Sequence, residues 1–177
     1  LAAAQQIQVP ITSLYSGSTT HLPLVTELDA LDVLSGVSNG SYVSDPAVIE
    51  RIESGAVAEY AAGGNIDTEA VVLAAPDVLM TGGSDDPAYV QLREAGIGVV
   101  ANAEWLEASP LGRAEWIKVM AALTGKEKEA AQVYDDIRNR YLDVAAKASG
   151  VEPAPVLLGG MAQRTWYMSS GGSFMGR

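Results

Sequence analysis

A chain of 177 residues with one histidine and no cysteine holds few side chains able to do covalent chemistry. His21 follows a run of small residues, Ser16-Gly17-Ser18-Thr19-Thr20, so a pairing of Ser16 or Ser18 with His21 is the nucleophile–base combination on offer. The run lacks the Gly-x-Ser-x-Gly elbow of a strand-to-helix nucleophile, and a triad needs a third group to orient the imidazole. A polar residue near a helix start is the plainer reading. One imidazole cannot build a multi-histidine zinc or manganese site. The absent thiols exclude a cysteine nucleophile, a thiolate metal site and a disulfide scaffold. Glycine pairs at 63–64, 82–83, 159–160 and 171–172 invite a phosphate-loop reading, but none sits in Gly-x-Gly-x-x-Gly or Gly-x-x-x-x-Gly-Lys-Ser/Thr. They read as turns that need positive φ. Asp85-Asp86 offers paired carboxylates, yet Asp86 ahead of Pro87 is explained by helix capping. No catalytic residue, no metal-ligand set and no resident cofactor is assigned.

What remains is a binding surface and the elements that must position it. Short apolar runs alternate with amphipathic stretches, the pattern of parallel strands joined by crossover helices. Strands are predicted at Ile11–Tyr15, Val33–Val37, Val78–Thr81 and Ile97–Ala101. Thr20 is expected to cap a first helix with Pro23 in its first turn and Leu24, Leu28 and Leu31 inward. Asp45-Pro46 opens a second helix that Gly55 stops, and Asp67 a third, with Ala70, Val71 and Leu73 inward and Pro76 ending it. Asp86-Pro87 opens a fourth that Gly96 closes. Ser109-Pro110 starts a helix running through Leu123. Lys126 to Ala148 forms a longer one of about 34 Å, its inner face marked by Ala130, Val133, Ile137, Tyr141, Val144 and Ala148, with Asp136 and Arg140 as an i, i+4 pair. Beyond Gly150, strands are expected at Val156–Leu158 and Arg164–Met168, then a turn at Ser169–Ser173.

Ligands of open α/β sheets bind at the carboxyl ends of the strands. Those positions hold Tyr15, Ser18, Thr19 and His21 after the first strand, Tyr42 after the second, and Gly82, Gly83 and Ser84 after the third. Glu104, Trp105 and Glu107 follow the fourth, with Arg113 just beyond. Aromatic rings and one guanidinium among small hydroxyls suit a bulky, partly aromatic or anionic ligand. Net charge is −11, which argues against a nucleic-acid partner and an anionic membrane surface. Residues 1–112 hold 2 basic and 15 acidic groups, and 113–177 hold 9 and 7. No apolar run approaches the ~20 residues of a membrane span. The opening Leu1-Ala2-Ala3-Ala4 reads as the small-residue tail of a removed signal peptide.

Four stretches carry a family resemblance. They are Val9-Pro10-Ile11 through Ser18-Thr19-Thr20-His21; Leu28-Asp29-Ala30-Leu31-Asp32 through Gly36-Val37; Asn65-Ile66-Asp67-Thr68-Glu69 through Ala75-Pro76-Asp77-Val78-Leu79; and Glu104-Trp105-Leu106-Glu107-Ala108-Ser109-Pro110-Leu111-Gly112-Arg113-Ala114-Glu115-Trp116. With these the chain resembles the N-terminal lobe of the ABC-transporter substrate-binding proteins for iron-siderophore, haem and cobalamin. The resemblance implies an α/β architecture: a Rossmann-like lobe over 1–125 with a parallel sheet flanked by helices, a long interlobe helix over 126–150, and at 151–177 the beginning of a truncated second α/β lobe. A chain with half a cleft is expected to bind weakly.

The resemblance also implies a non-enzymatic capture protein that delivers an iron complex, as siderophore or haem, to an ABC permease and its ATPase. The ligand would lie against Tyr15, Ser18, Thr19, Tyr42, Gly82, Gly83, Trp105, Arg113 and Trp166, with Glu69 docking to the permease. Haem would want an axial ligand, for which Tyr15, His21 and Tyr42 are the candidates. The place implied is the periplasmic or extracellular face of the cell membrane, reached only through an anchor outside this chain, a lipid one in the full-length form. Cobalamin is the alternative cargo. A Rossmann-like enzyme acting on a nucleotide or sugar, resting on fold analogy alone, and a scaffold or adhesion lobe without ligand are the competing readings.

Overall fold

The computed structural model describes residues 5–152, 154–173 and 175. The proposed leader tail Leu1–Ala4, with Pro153, Phe174, Gly176 and Arg177, lies outside the described residues. Five strands, β1 (Leu14–Ser16), β2 (Leu34–Val37), β3 (Ala58–Glu59), β4 (Val78–Thr81) and β5 (Gly98–Ala101), form one all-parallel sheet in the order β3-β2-β1-β4-β5. The chain therefore winds outward one way from β1 through β2 to β3, then restarts on the other side with β4 and β5. Connections after β1 and β4 leave on opposite faces, so topology puts the ligand crevice of an open α/β sheet between those two strands at their carboxyl ends.

Both sheet faces are covered, which is why β4 is buried along its whole length and reads as an unbroken apolar run. Alternate residues feed two separate cores. Leu14, Val78 and Met80 join the larger one, with Leu22, Val25, Val48 and Met120. Tyr15 and Leu79 join the smaller one, with Tyr60, Val71 and Leu92. The rings of Tyr15 and Tyr60 stack with centroids 5.3 Å apart. Gly36 lies directly behind that stack, where an added Cβ would stand 2.5 Å from the Tyr15 ring. Gly36→Ala should therefore cost about 2 kcal/mol by overpacking, read as a lower urea midpoint; an unchanged midpoint would contradict the stacked geometry.

Helix starts follow the capping chemistry. Asp45 accepts from Ala47 N and Val48 N to open α2 (Pro46–Glu53), Asp67 from Ala70 N for α3 (Thr68–Ala74), and Ser109 from Gly112 N for α5 (Pro110–Glu115). Asp86 accepts from Ala88 N at 2.8 Å at the start of α4 (Ala88–Glu94). The first helix departs from expectation. Ser18, rather than Thr20, caps a 3-10 turn at Thr19–His21, and α1 (Leu22–Glu27) continues from it without a side-chain cap of its own. Its buried residues are Leu22 and Val25, with Leu28 just after it, because the extra turn rotates the inner face by one position; Leu24 and Leu31 are only partly buried. In α3 only Val71 is buried, while Ala70 is exposed and Leu73 is 89% exposed. At the opposite end of the sheet, Asp77 accepts from Thr12 N, Thr12 Oγ1 and Ser13 N at 2.7–3.0 Å. Those bonds tie the entry to β1 against β4 and hold the Asp77 carboxyl below its usual range.

The helix expected from Ser109 to Leu123 is two, α5 and α6 (Ile117–Thr124), broken at Trp116. The indole of Trp116 donates to Glu107 Oε1 at 3.1 Å. Helix α7 (Glu127–Ala148) runs 22 residues, as its period predicts, but buries only Ala130. Val133, Tyr134 and Ile137 are half-buried, and Tyr141, Val144 and Ala148 are exposed, because α5 and α6 reach only its first turns. Arg140 Nε donates to the Asp136 backbone carbonyl, not to its carboxylate. Beyond α7, the strand expected at Val156–Leu158 is irregular, and the paired strands are β6 (Gly159–Ala162) and β7 (Thr165–Met168), antiparallel. Gln163 and Arg164, both at positive φ, form the two-residue turn that sets this register.

Candidate functional site

The crevice between β1 and β4 is floored by the loops that leave them. Gly17 N donates to the Met80 carbonyl at 2.8 Å, which draws the end of β1 onto β4. Ser18 Oγ accepts from Thr20 N and contacts Thr20 Oγ1 at 2.9 Å, fixing the first loop. On the β2 side, Asn39 caps a 3-10 turn at Gly40–Tyr42, and Glu59 at the end of β3 accepts from Gly40 N at 2.6 Å. This rigid turn presents Tyr42, 74% exposed. Ser18, Thr19, Ser38 and Asn39 line a shallow depression there with no room for even a water molecule. It is therefore no enclosed pocket of the ~300 Å³ or more that small molecules fill, but an open face.

The β4 and β5 loops lock together. Trp105 Nε1 donates to the Gly82 carbonyl at 2.7 Å. Gly83 at φ +81° passes so close to Ala103 that a Cβ would stand 2.9 Å from the alanine methyl, a place and a conformation that suit glycine. Arg113 Nη2, from the last turn of α5, donates to the Trp105 carbonyl at 3.2 Å. The indole is thereby pinned at its nitrogen and its backbone while remaining 55% exposed. A ring held this way loses little freedom when a ligand lands on it.

Beneath this surface the single histidine takes a structural place. His21 is fully buried and Ser16 is 1% exposed, with Nδ1 3.1 Å from Ser16 Oγ. Ser16 Oγ spends its one proton on the Ser18 carbonyl at 2.9 Å, so Nδ1 must be the protonated nitrogen, donating to Oγ. Burial pushes the His21 pKa down to about 4, against a smaller opposing pull from the Glu104 charge. The pairing read from the sequence therefore exists, but as a neutral, enclosed brace for the β1 loop.

Among the sequence-derived candidates, Ser18, Thr19, Tyr42, Gly82, Gly83, Trp105 and Arg113 all lie at the carboxyl end of the sheet. Tyr15 is not on that surface: strand alternation turns it into the smaller core, where it is 5% exposed, and burial raises its pKa. Of the three axial-ligand candidates, Tyr15 and His21 are enclosed and Tyr42 is open. Trp166 stands half-exposed on β7, outside the five-stranded sheet. Glu69 is exposed in the first turn of α3, next to Val72 and Leu73. Sequence reasoning missed Asn39, Glu59 and the buried Asn102, whose Oδ1 accepts from Glu104 N at 3.3 Å. Asn39-Gly40 carries a turn signal; nothing local marks the other two.

A family model described as periplasmic binding protein matches residues 11–177. An uncharacterized lipoprotein of Methanocaldococcus jannaschii is 26% identical over 181 residues, covering 97% of this chain and 43% of its own length. Among solved structures, the siderophore-binding protein BauB, bound to two molecules of acinetobactin and ferric iron, superposes with a TM-score of 0.70 at 14% identity, over 96% of this chain and 59% of that one. The periplasmic heme-binding protein HutB of Vibrio cholerae gives 0.72 at 19% identity, over 89% and 58%. The chain thus spans less than half the length of the curated relative and about three fifths of these structures.

Proposed function

From the premise that this chain belongs to the periplasmic binding protein family, we propose that it captures a metal complex, a ferric siderophore or haem, for an ABC importer. The cargo lies across the carboxyl ends of β1, β4 and β5 and leaves unaltered. The observation that carries this reading is the exposed Trp105 indole, clamped by the Gly82 carbonyl and by Arg113 over the crevice. Ser18, Thr19 and Tyr42 supply hydroxyls on its far side, and Tyr42 is an exposed phenol at this end of the sheet that a haem iron would take as axial ligand. The lipoprotein relative supports a site of action at the periplasmic or extracellular face of the membrane. Isothermal titration of the full-length protein with a ferric siderophore, haem and cobalamin tests the reading: saturable binding by an iron complex supports it, cobalamin binding alone moves the cargo to that class, and no heat with any of them defeats it.

Delivery requires a second surface. Glu69 projects from the first turn of α3, where the helix dipole already favours a carboxylate, at the same end of the lobe as the crevice. In this reading Glu69 pairs with a cation of the permease. Glu69→Arg in the full-length protein should leave ligand affinity within about twofold, since surface charges contribute little locally, while lowering uptake in a transport assay. Unimpaired uptake would remove Glu69 from the docking role.

A further inference from the structure

The charge at the crevice limits which complexes it can take. Around the carboxyl ends of the strands stand Glu59, Asp85, Asp86, Glu104 and Glu107. Among the described residues at the carboxyl end of the five-stranded sheet, the cation that accompanies them is Arg113, and its Nη2 already donates to the Trp105 carbonyl; Arg164 lies outside that sheet, in the turn between β6 and β7. The next cation, Lys118, is paired with Glu115 at 2.6 Å and lies 4.0 Å from the Tyr134 ring centroid. His21 is neutral. Arg51 reaches the Leu34 carbonyl at the start of β2, and Arg93 sits in the last turn of α4, both at the other end of the sheet.

We propose that this lobe selects a ferric trihydroxamate-type complex, neutral or positive, over a ferric tris-catecholate; the inference rests on the metal-complex reading above. In a tris-catecholate, three doubly charged catecholates around Fe³⁺ leave three negative charges. Such a ligand needs cations brought to its surface, and the Debye length of ~10 Å at 0.1 M salt leaves neighbouring carboxylates within repelling range. A neutral trihydroxamate instead needs an apolar platform and hydrogen-bonding groups. Trp105 and Tyr42 provide the platform, and the Ser18 and Thr19 hydroxyls and the phenol of Tyr42 provide the groups.

The test is calorimetric titration of the full-length protein with a neutral ferric trihydroxamate, a ferric tris-catecholate, haem and cobalamin, at about 20 mM and about 0.5 M salt. The trihydroxamate should bind about tenfold or more tighter at low salt, with the gap narrowing at high salt as screening removes the repulsion. Asp85→Lys, at an exposed position with no capping role, should narrow it as well. A tris-catecholate that binds as tightly at low salt overturns the charge inference and leaves the capture reading intact. So does binding of haem with neither ferric siderophore, whereas binding of cobalamin alone overturns the charge inference and moves the cargo to the cobalamin class. Failure of all four complexes to bind overturns both.

Discussion

Trp105→Ala is expected to weaken binding of the metal complex by about 30-fold or more, the loss typical when a central aromatic anchor is truncated. The indole combines a large exposed face with two restraints that do not depend on ligand, its Nε1 bond to Gly82 and the Arg113 bond to its carbonyl. Alanine removes the platform and frees the Gly82–Ser84 loop. Trp105→Phe keeps a ring but drops the Nε1 bond, so an intermediate loss of severalfold is expected, about the worth of one hydrogen bond. Titration calorimetry of the three proteins gives the ordering directly. Equal affinities would show that ligand does not rest on this ring.

The second large effect is on stability in mild acid. The folded His21 titrates at about 4 against an ordinary value of 6.5. Between those two values the unfolded chain takes up a proton that the folded chain refuses, so acid favours unfolding. The contribution of a neutral His21 is complete above pH 6.5 and is progressively lost as pH falls to about 4, with no further loss below. At about 1.4 kcal/mol per unit, the window is worth about 3 kcal/mol. The depressed Asp77 carboxyl adds a separate loss at lower pH, below its ordinary value of 3.8. Urea unfolding at a series of pH values should show the first slope, and His21→Gln should flatten it. Because the chain has one histidine, its imidazole NMR signal reports the same quantity without mutation. A midpoint near 6.5 would contradict the buried, neutral brace.

Most of the architecture was legible because each connection carries its own punctuation. Asp45-Pro46, Asp67 and Ser109-Pro110 sit where caps are needed, and the β4 segment declares two-sided burial by its unbroken apolar run. The misses have physical causes. Ser18 outcompetes Thr20 as a cap because a 3-10 turn intervenes, and that turn rotates the face of α1. Leu73 carries the right period, but α3 is only seven residues long and packs against its neighbour through Val71. The inner stripe of α7 is helical throughout, yet periodicity says only which residues share a face and not how far the neighbouring helices extend along it.

The site was legible by position more than by role. Strand ends put Ser18, Tyr42, Gly83 and Trp105 at the carboxyl end of the sheet, whereas Tyr15 is buried there by strand alternation: the residue between Leu14 and Ser16 must point to the opposite sheet face. Glu59 supports the Tyr42 turn from a strand far along the chain, and the Arg113 clamp on Trp105 spans eight residues through a carbonyl. No local pattern encodes either contact.

The central claim is that cargo rests on the carboxyl-end face of the five-stranded sheet. It is tested most directly by amide and indole NMR shifts on adding a diamagnetic gallium trihydroxamate in place of the ferric complex. The Trp105 indole proton and the Ser18–Thr19, Tyr42 and Gly82–Ser84 amides should move, with Gln6–Gln8 and Asp77, at the other end of the sheet, unmoved. Shifts confined to that other end, or binding that leaves the Trp105 indole untouched, would contradict it.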